Sequence, residues 1–221
     1  MTKNNICHLI SCVLYYLQGG DNTTNESYFM ERFSEVLTKE QILIATEETL
    51  RRFGISKTSV TDVAAALGVS HGTIYRHFKS KVELLEGATE KWLEEKIIMP
   101  LTEVCQDSSM DGVQHLKAYV NTLIELKRHY ARKDEELFKM YAKITEEAAQ
   151  LISKHVTRIT EQMSEIIRRG GIKADDPSQL ARTVFHATAR FHHPAHAYEW
   201  KSPAIDDEFS AVWALIEKGF S

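Results

Sequence analysis

The run Ser59–Phe78, SVTDVAAALGVSHGTIYRHF, constrains this chain more than any other stretch. Val60, Val63, Ala64 and Leu67 recur at i, i+3, i+4 and i+7, the spacing of one apolar helical face. Ser59, with Asp62 three residues on, can satisfy free amides of a first helical turn. Gly68 can take the left-handed conformation that ends a helix and turns the chain. Ser70 then caps a second short helix, with Ile74 and Phe78 as its buried points. Two short helices joined by a tight glycine turn form a helix-turn-helix, whose second helix enters the major groove of DNA.

The charge pattern supports that reading. Six basic residues (Arg51, Arg52, Lys57, Arg76, Lys79, Lys81) face a single acid, Asp62, between Arg51 and Lys81. The whole chain carries a formal charge of −4, so the island runs against the overall balance. Attraction to phosphate is local, and the island outweighs the total. A helical hairpin that merely packs, with a solvated basic face, is the competing reading.

A longer run settles the preference. Lys39–Trp92 carries IL-x-A-T-x-x-x-x-x-F-G, then T-S-V-x-D-V-A, G-V-S-x-G-T-I-Y-x-H-F and K-S-K-x-E-L-L. In order and spacing it resembles the N-terminal domain of the tetracycline-repressor (TetR/AcrR) family. The resemblance covers about 50 residues. It implies an all-α chain: a three-helix helix-turn-helix domain joined by a connecting helix to a helical ligand-binding and dimerisation domain. It further implies a homodimeric, ligand-controlled transcriptional regulator, most often a repressor, rather than an enzyme. By the resemblance, positions matching His71, Gly72, Thr73 and Tyr75 face DNA. Chemically, His71 and Arg76 can reach base edges, and arginine can contact guanine through two bonds. Thr61, Tyr75, His77, Lys79 and Lys81 suit phosphates.

Three segments follow, with boundaries at 1–38, 39–85 and 86–221. The first is an N-terminal extension. Its apolar Ile6–Leu17 lacks the basic flank and small-residue cleavage site of a signal peptide, and DNTTNES reads as a loop or disorder. Met30 is the better initiator, and an apolar arm that packs on the body is the rival. Within 39–85, a helix over Lys39–Phe53 turns Ile42, Ala45, Thr49, Leu50 and Phe53 inward and stops at Gly54. A further helix opens on a Ser80/Glu83 capping box, buries Val82, Leu85, Ala88 and Trp92, and ends or kinks at Pro100.

The remainder is read as all helical. Asp111 caps a helix bearing Leu116, Tyr119, Leu123 and the run from Leu126 to Tyr130, and Asp134 starts one with Leu137, Phe138, Tyr141 and Ile144. From about Glu146 to Arg169, Ala149, Ile152, Val156, Ile159, Met163 and Ile166 form a stripe that closes at Gly170. Asp176-Pro177-Ser178-Gln179 gives a cap, a first-turn proline and a partner for the cap. Leu180, Val184, Ala187 and Phe191 face inward up to Pro194. A last helix from about Asp206 presents Phe209, Val212, Trp213, Ile216 and Phe220. By the resemblance, the helices near 177–193 and 206–220 pair with a second copy, and an effector lodges between Asp111 and Arg169. Tyr119, Leu123, Phe138, Tyr141 and Met163 are the candidate pocket-liners, although such a stripe is more often core.

Other chemistry is thinly represented. His186, His192, His193 and His196 invite a metal reading, with His192 and His196 at a zinc-pair spacing, but Pro194 falls between them. A metal-dependent helical enzyme or ligand-binding protein is therefore the alternative function. Capping or interface histidines are the simpler account, and no cofactor is expected. Cys7, Cys12 and Cys105 make no ligand spacing and no even disulfide set, which points to a reducing cytoplasm. No stretch approaches the roughly 20 apolar residues of a membrane span. The expected partners are palindromic operator DNA, a second copy and a small-molecule effector.

Overall fold

The computed structural model describes residues 37–220. They belong almost wholly to a compact unit, Lys39–Ser221. The readings made of the extension 1–38, including Ile6–Leu17 and Met30, lie outside the described residues apart from 37 and 38. The fold is all-α, and every regular element among the described residues is helical.

Helix α1 spans Lys39–Phe53 and buries Ile42, Ala45, Thr46, Glu47, Thr49 and Leu50. The Thr46 and Thr49 hydroxyls donate to the Ile42 and Ala45 carbonyls at 2.7 and 2.6 Å, which removes the cost of burying them. Phe53, expected inward, is instead 44% exposed. It lies in the last turn, where its ring carries the Arg52 guanidinium 5.0 Å from its centroid. Helix α2 (Val60–Ala66) has the full reciprocal cap. Ser59 Oγ accepts from Asp62 N at 3.2 Å, and Asp62 Oδ2 accepts from Ser59 N at 2.8 Å. Gly68 turns the chain at φ +66°, a conformation that would strain any side chain. Helix α3 is short, His71–Tyr75, capped by Ser70 Oγ on Thr73 N at 3.2 Å. Ile74 and Phe78 anchor it, as the spacing requires.

The connecting helix begins with α4, Lys81–Leu93. Its N-terminus is not the full box: Ser80 Oγ accepts from Glu83 N at 3.1 Å, but the Glu83 carboxylate reaches back to Lys79 N at 2.6 Å. Val82 is 54% exposed, and Leu84 takes the inner position with Leu85 and Ala88. Gly87 marks a close approach, because a Cβ there would lie 3.1 Å from Phe78 Cε1 and 3.2 Å from Leu43 Cδ2. Pro100 does not end the helix. The path widens into a π-helical turn at Glu94–Ile98 and continues as α5, Met99–Gln106. Proline has no N–H for the carbonyl four residues back, and its ring crowds that carbonyl. The wider turn, in which Met99 N donates to Glu94 O, accommodates both defects.

Four long or medium helices build the body: α6 (Gly112–Lys133), α7 (Glu135–Glu147), α8 (Ala149–Arg169) and α9 (Pro177–Ala187). A short α10 (Ala189–His192) and two 3₁₀ turns lead into α11, Ile205–Lys218. Asp111 and Asp134 occupy N-cap positions without making a side-chain capping bond. The Asp134 carboxylate is engaged by Arg51 instead. Helix α8 begins at Ala149 rather than Glu146, and Ala149 is exposed while Ala148 is buried. Asp176 caps α9 through bonds from Ser178 N and Gln179 N. Ala187, expected inward, is exposed near the C-terminal end of that helix. A continuous core runs from Leu50 of α1 through Trp92 of α4 to Trp213 of α11. Trp92 joins connector to body, its ring lying 5.6 Å from Tyr130 and 5.7 Å from Tyr141.

Candidate functional site

The nine residues expected to meet DNA all fall between the first turn of α2 and the first turn of α4. Thr61, His71, Gly72, Tyr75, Arg76 and Lys79 are exposed, whereas Thr73, His77 and Lys81 are half-buried. The Tyr75 ring stands edge-on to His71, with centroids 6.2 Å apart. Arg76 is the C-cap of α3, and its Nη2 donates to Thr73 Oγ1 at 3.1 Å, which leaves other guanidinium donors for a ligand. Around Gly72 the nearest atom to an added Cβ would be Ser70 Oγ at 3.6 Å, so folding does not demand glycine there. The Ser59 hydroxyl and amide hold the Asp62 carboxyl below its usual range, and the Lys81 charge adds to this.

One member of the basic island is otherwise engaged. Arg51 forks onto Asp134 across 83 residues, with Nε 3.1 Å from Oδ1 and Nη2 2.9 Å from Oδ2. It also meets Glu47 at 3.4 Å. Glu47 is buried, and burial raises its pKa against the opposing pull of Lys91 and Arg51. Lys91 of α4 stands 3.5 Å from Glu47 and 2.5 Å from Glu95. The network ties α1 to the connector and to the start of α7. Sequence reading missed it, because the links that join the elements, Arg51–Asp134 and Lys91–Glu47, connect residues distant along the chain.

In the body, Tyr119, Leu123, Phe138, Tyr141 and Met163 are all buried in the one core cluster. Burial raises the Tyr119 and Tyr141 hydroxyl pKa values. None of the five lines either of the two cavities described next. A cavity of about 30 Å³ lies between the connector and α8, walled by Leu93, Ile98, Leu151 and His155 among others. A surface cleft of about 360 Å³ is lined by Thr102, Cys105, Gln162 and Arg169 with neighbouring polar residues. Tyr119 reaches that cleft indirectly: its Oη donates to Gln162 Oε1 at 2.7 Å, and Gln162 Nε2 donates to Thr102 Oγ1 at 2.7 Å. Burial pushes the Cys105 thiol up, which disfavours the thiolate.

Lys127 was also missed, although Leu123, Lys127 and Tyr130 continue the inward spacing of α6. It is 2% exposed. Its Nζ lies 4.0 Å over the Tyr141 ring and 3.4 Å from His155 Nε2.

The histidine alternative does not assemble. Among the described residues no group of three or more His, Cys, Asp or Glu side chains is placed to hold a metal. His192 is buried, with Nε2 3.2 Å from Phe185 O and 3.3 Å from Thr188 Oγ1. His193 caps the 3₁₀ turn at Pro194, His196 Nδ1 pairs with Glu199 at 2.7 Å, and His186 is exposed. The extended His193 backbone before Pro194 ends the helix that carries His192, so His192 and His196 do not share a helical face.

A capped two-helix reading motif on a helical body defines a helix-turn-helix regulator class. The family model described as bacterial regulatory proteins, tetR family, matches residues 42–88. A second, the tetracyclin repressor-like C-terminal domain, matches residues 113–213. The chain belongs to the TetR/AcrR family. It is 35% identical over 83 residues to the Escherichia coli K12 protein named "Probable acrEF/envCD operon repressor", covering 37% of this chain and 35% of that one. The chain thus spans about a third of the length of the first curated relatives it matches. Among solved structures, a TetR-family regulator of Mesorhizobium loti superposes with a TM-score of 0.55 at 20% identity, over 80% of this chain and 95% of that chain. FadR of Bacillus subtilis, in complex with stearoyl-CoA, does so with a TM-score of 0.55 at 18% identity, over 81% and 97%. These two likenesses concern the fold alone. No helix among the described residues is long and apolar enough to cross a membrane.

Proposed function

We propose that this chain is a sequence-specific DNA-binding transcriptional regulator, a cytoplasmic homodimeric repressor that a small-molecule effector releases from a palindromic operator. The observation that carries the reading is the exposed set His71, Gly72, Tyr75 and Arg76 on or beside a helix whose buried points are fixed by Ile74 and Phe78. His71 and Arg76 take base edges; Thr61, Tyr75, His77, Lys79 and Lys81 take phosphates; Thr73 orients Arg76. Gly72, unneeded by the fold, lets the helix backbone approach the duplex. The reading domain is 39–85, and 86–221 binds effector and partner.

Exposed residues on α9 and α11 support the dimer. Arg182, Thr183, His186 and Ala187 share one helical face, and Ser210, Ala211, Ala214 and Leu215 share another, with Leu215 69% exposed. A two-fold dimer would set its recognition helices about 34–36 Å apart. The core around Tyr119, Leu123, Phe138, Tyr141 and Met163 is where an effector lodges, displacing the connector through Trp92. Such release requires tighter effector binding to the DNA-incompetent state. The test is the mass of the chain alone and on a duplex carrying an inverted repeat. Two copies per duplex support the reading; a monomer at micromolar concentration that ignores DNA contradicts it.

A further inference from the structure

Lys127 is a buried cation that no group of opposite charge answers among the described residues. The titratable groups that feel it are His155 of α8 and His192 and His193 at the end of α10, with the Tyr141 ring of α7 beneath it, and Arg158 adds positive charge near His155. Among the described residues no carboxylate pairs with its Nζ, which has only the Tyr141 ring face and the His155 nitrogen. Burying an unpaired ammonium is costly, and proteins ordinarily pair it or neutralise it. Here burial alone pushes the ammonium down to about 7. Burial likewise lowers His155, and the Lys127 charge lowers it further.

The site has a door. His155 also lines the cavity of about 30 Å³ between connector and α8, beside Leu93, Ile98 and Leu151. That volume holds a water or two and no organic molecule. Two ion pairs bridge the connector to α8 beside the cavity: Lys154 on Glu90 at 2.5 Å, and Arg158 on Glu94. The bridging side chains are exposed or half-buried, so parting them is cheap relative to opening the core behind.

We propose that Lys127, flanked by His155, seats the carboxylate of an apolar organic acid that enters between the connector and α8. The inference rests on the effector reading above and names the chemical class of that effector. The carboxylate supplies the missing countercharge, and the apolar body widens the small cavity walled by Leu93, Ile98 and Leu151 as it enters. Entry must break the Glu90–Lys154 and Glu94–Arg158 bridges, which moves the connector that carries Trp92. Because the free lysine is largely neutral in mild alkali, a bound carboxylate draws one proton onto it.

The experiment uses the full chain and four acids, octanoate, decanoate, phenylacetate and 1-naphthoate, each beside its primary amide. Binding is followed by calorimetry at pH 8 in two buffers of different ionisation enthalpy. At least one acid should bind ten-fold or more tightly than its amide, with uptake approaching one proton per molecule bound. Lys127→Met, nearly equal in length and free of the buried charge, should fold and lose both the preference and the uptake. Lys127→Arg, which keeps a fixed charge, should retain some preference for the acid without the uptake. The proposal is overturned if none of the acids binds, if acids and amides bind alike, or if Lys127→Met binds the acid as the parent does. Duplex binding is measured on the same preparation without acid. Intact DNA binding with failed acid binding removes this inference alone; absent DNA binding removes the regulator reading while the calorimetry still stands.

Discussion

The reading helices and the body treat their polar groups in opposite ways. In residues 39–85 each short helix is closed by its own neighbours, Ser59 with Asp62, Ser70 with Thr73 and Ser80 with Glu83, and the exception is Glu47 of α1, buried with its Oε1 lacking a hydrogen bond among the described residues. The body instead buries Lys127, His155 and His192 and leaves Trp92 Nε1, Trp213 Nε1 and two nitrogens of Arg128 without hydrogen-bond partners among the described residues. Buried polar groups are ordinarily satisfied, so the contrast is physical rather than cosmetic. A surface that must meet a rigid duplex is completed locally and held firm. A core that admits a guest, as proposed here, would keep polar groups that lack a partner among the described residues.

Trp92 joins the two regions, and cutting it should have the largest effect. Trp92→Ala is expected to cost about 3–5 kcal/mol in denaturant unfolding, by transfer and cavity terms together. A loss below about 1 kcal/mol would mean that connector and body are not packed as one. Next comes Lys127→Met, which should stabilise the chain by on the order of 2–4 kcal/mol at pH 7. The unfolded lysine holds its proton up to about 10.4, whereas the folded one loses it near 7. The parent's stability therefore rises between those values, and the variant's advantage shrinks over the same interval. A gain that ignores pH would place the stabilisation in packing rather than charge.

The two buried histidines act at the acid end. His155 is pushed well below its usual range and His192 down to about 3, mainly by burial. Below about 6.5 the unfolded chain takes up protons that the folded chain refuses, so stability falls as pH falls. Each histidine can add up to about 1.4 kcal/mol per pH unit to that slope, and His192→Gln should remove one share of it. An unchanged slope would contradict the buried, neutral ring. In the reading region, Arg76→Ala should cost about 1–3 kcal/mol of discrimination at one base position, read by competition between operator variants. Unaltered preference would strip Arg76 of a base-reading role. The smallest effect belongs to Lys81→Ala, which should weaken all sequences alike and make the salt dependence shallower by roughly one charge. An unmoved slope would count against a phosphate contact.

The reading region was legible because its signals are local. Caps, the Gly68 turn and the Ile74/Phe78 anchors each lie within a few residues of what they control. Helix edges were harder: Phe53 and Val82 fit the apolar period, yet both sit at helix ends where the inner face has already rotated away. Pro100 reads as a breaker, and only the π turn at Glu94–Ile98 shows how a helix absorbs it. Arg51 reads as part of a DNA-facing island because nothing near it in sequence reveals Asp134. In the body, core and pocket share one pattern, so periodicity alone selected Tyr119, Leu123, Phe138, Tyr141 and Met163 without separating packing from binding. Lys127 was passed over because a lysine on a helix is usually solvated, although its spacing from Leu123 and Tyr130 marked the inner face.

The central claim is that a pair of rigid reading helices is governed by a body able to take a guest. Selection of bound sites from random duplex DNA by the full chain tests the first half of that claim most directly, and release of the recovered complex by added ligand tests the second. The account predicts an inverted repeat whose half-sites lie about one helical turn apart, on the order of 10 base pairs, bound by two copies and released by an organic acid. A pool that stays random, or a single half-site held by one copy, would contradict it.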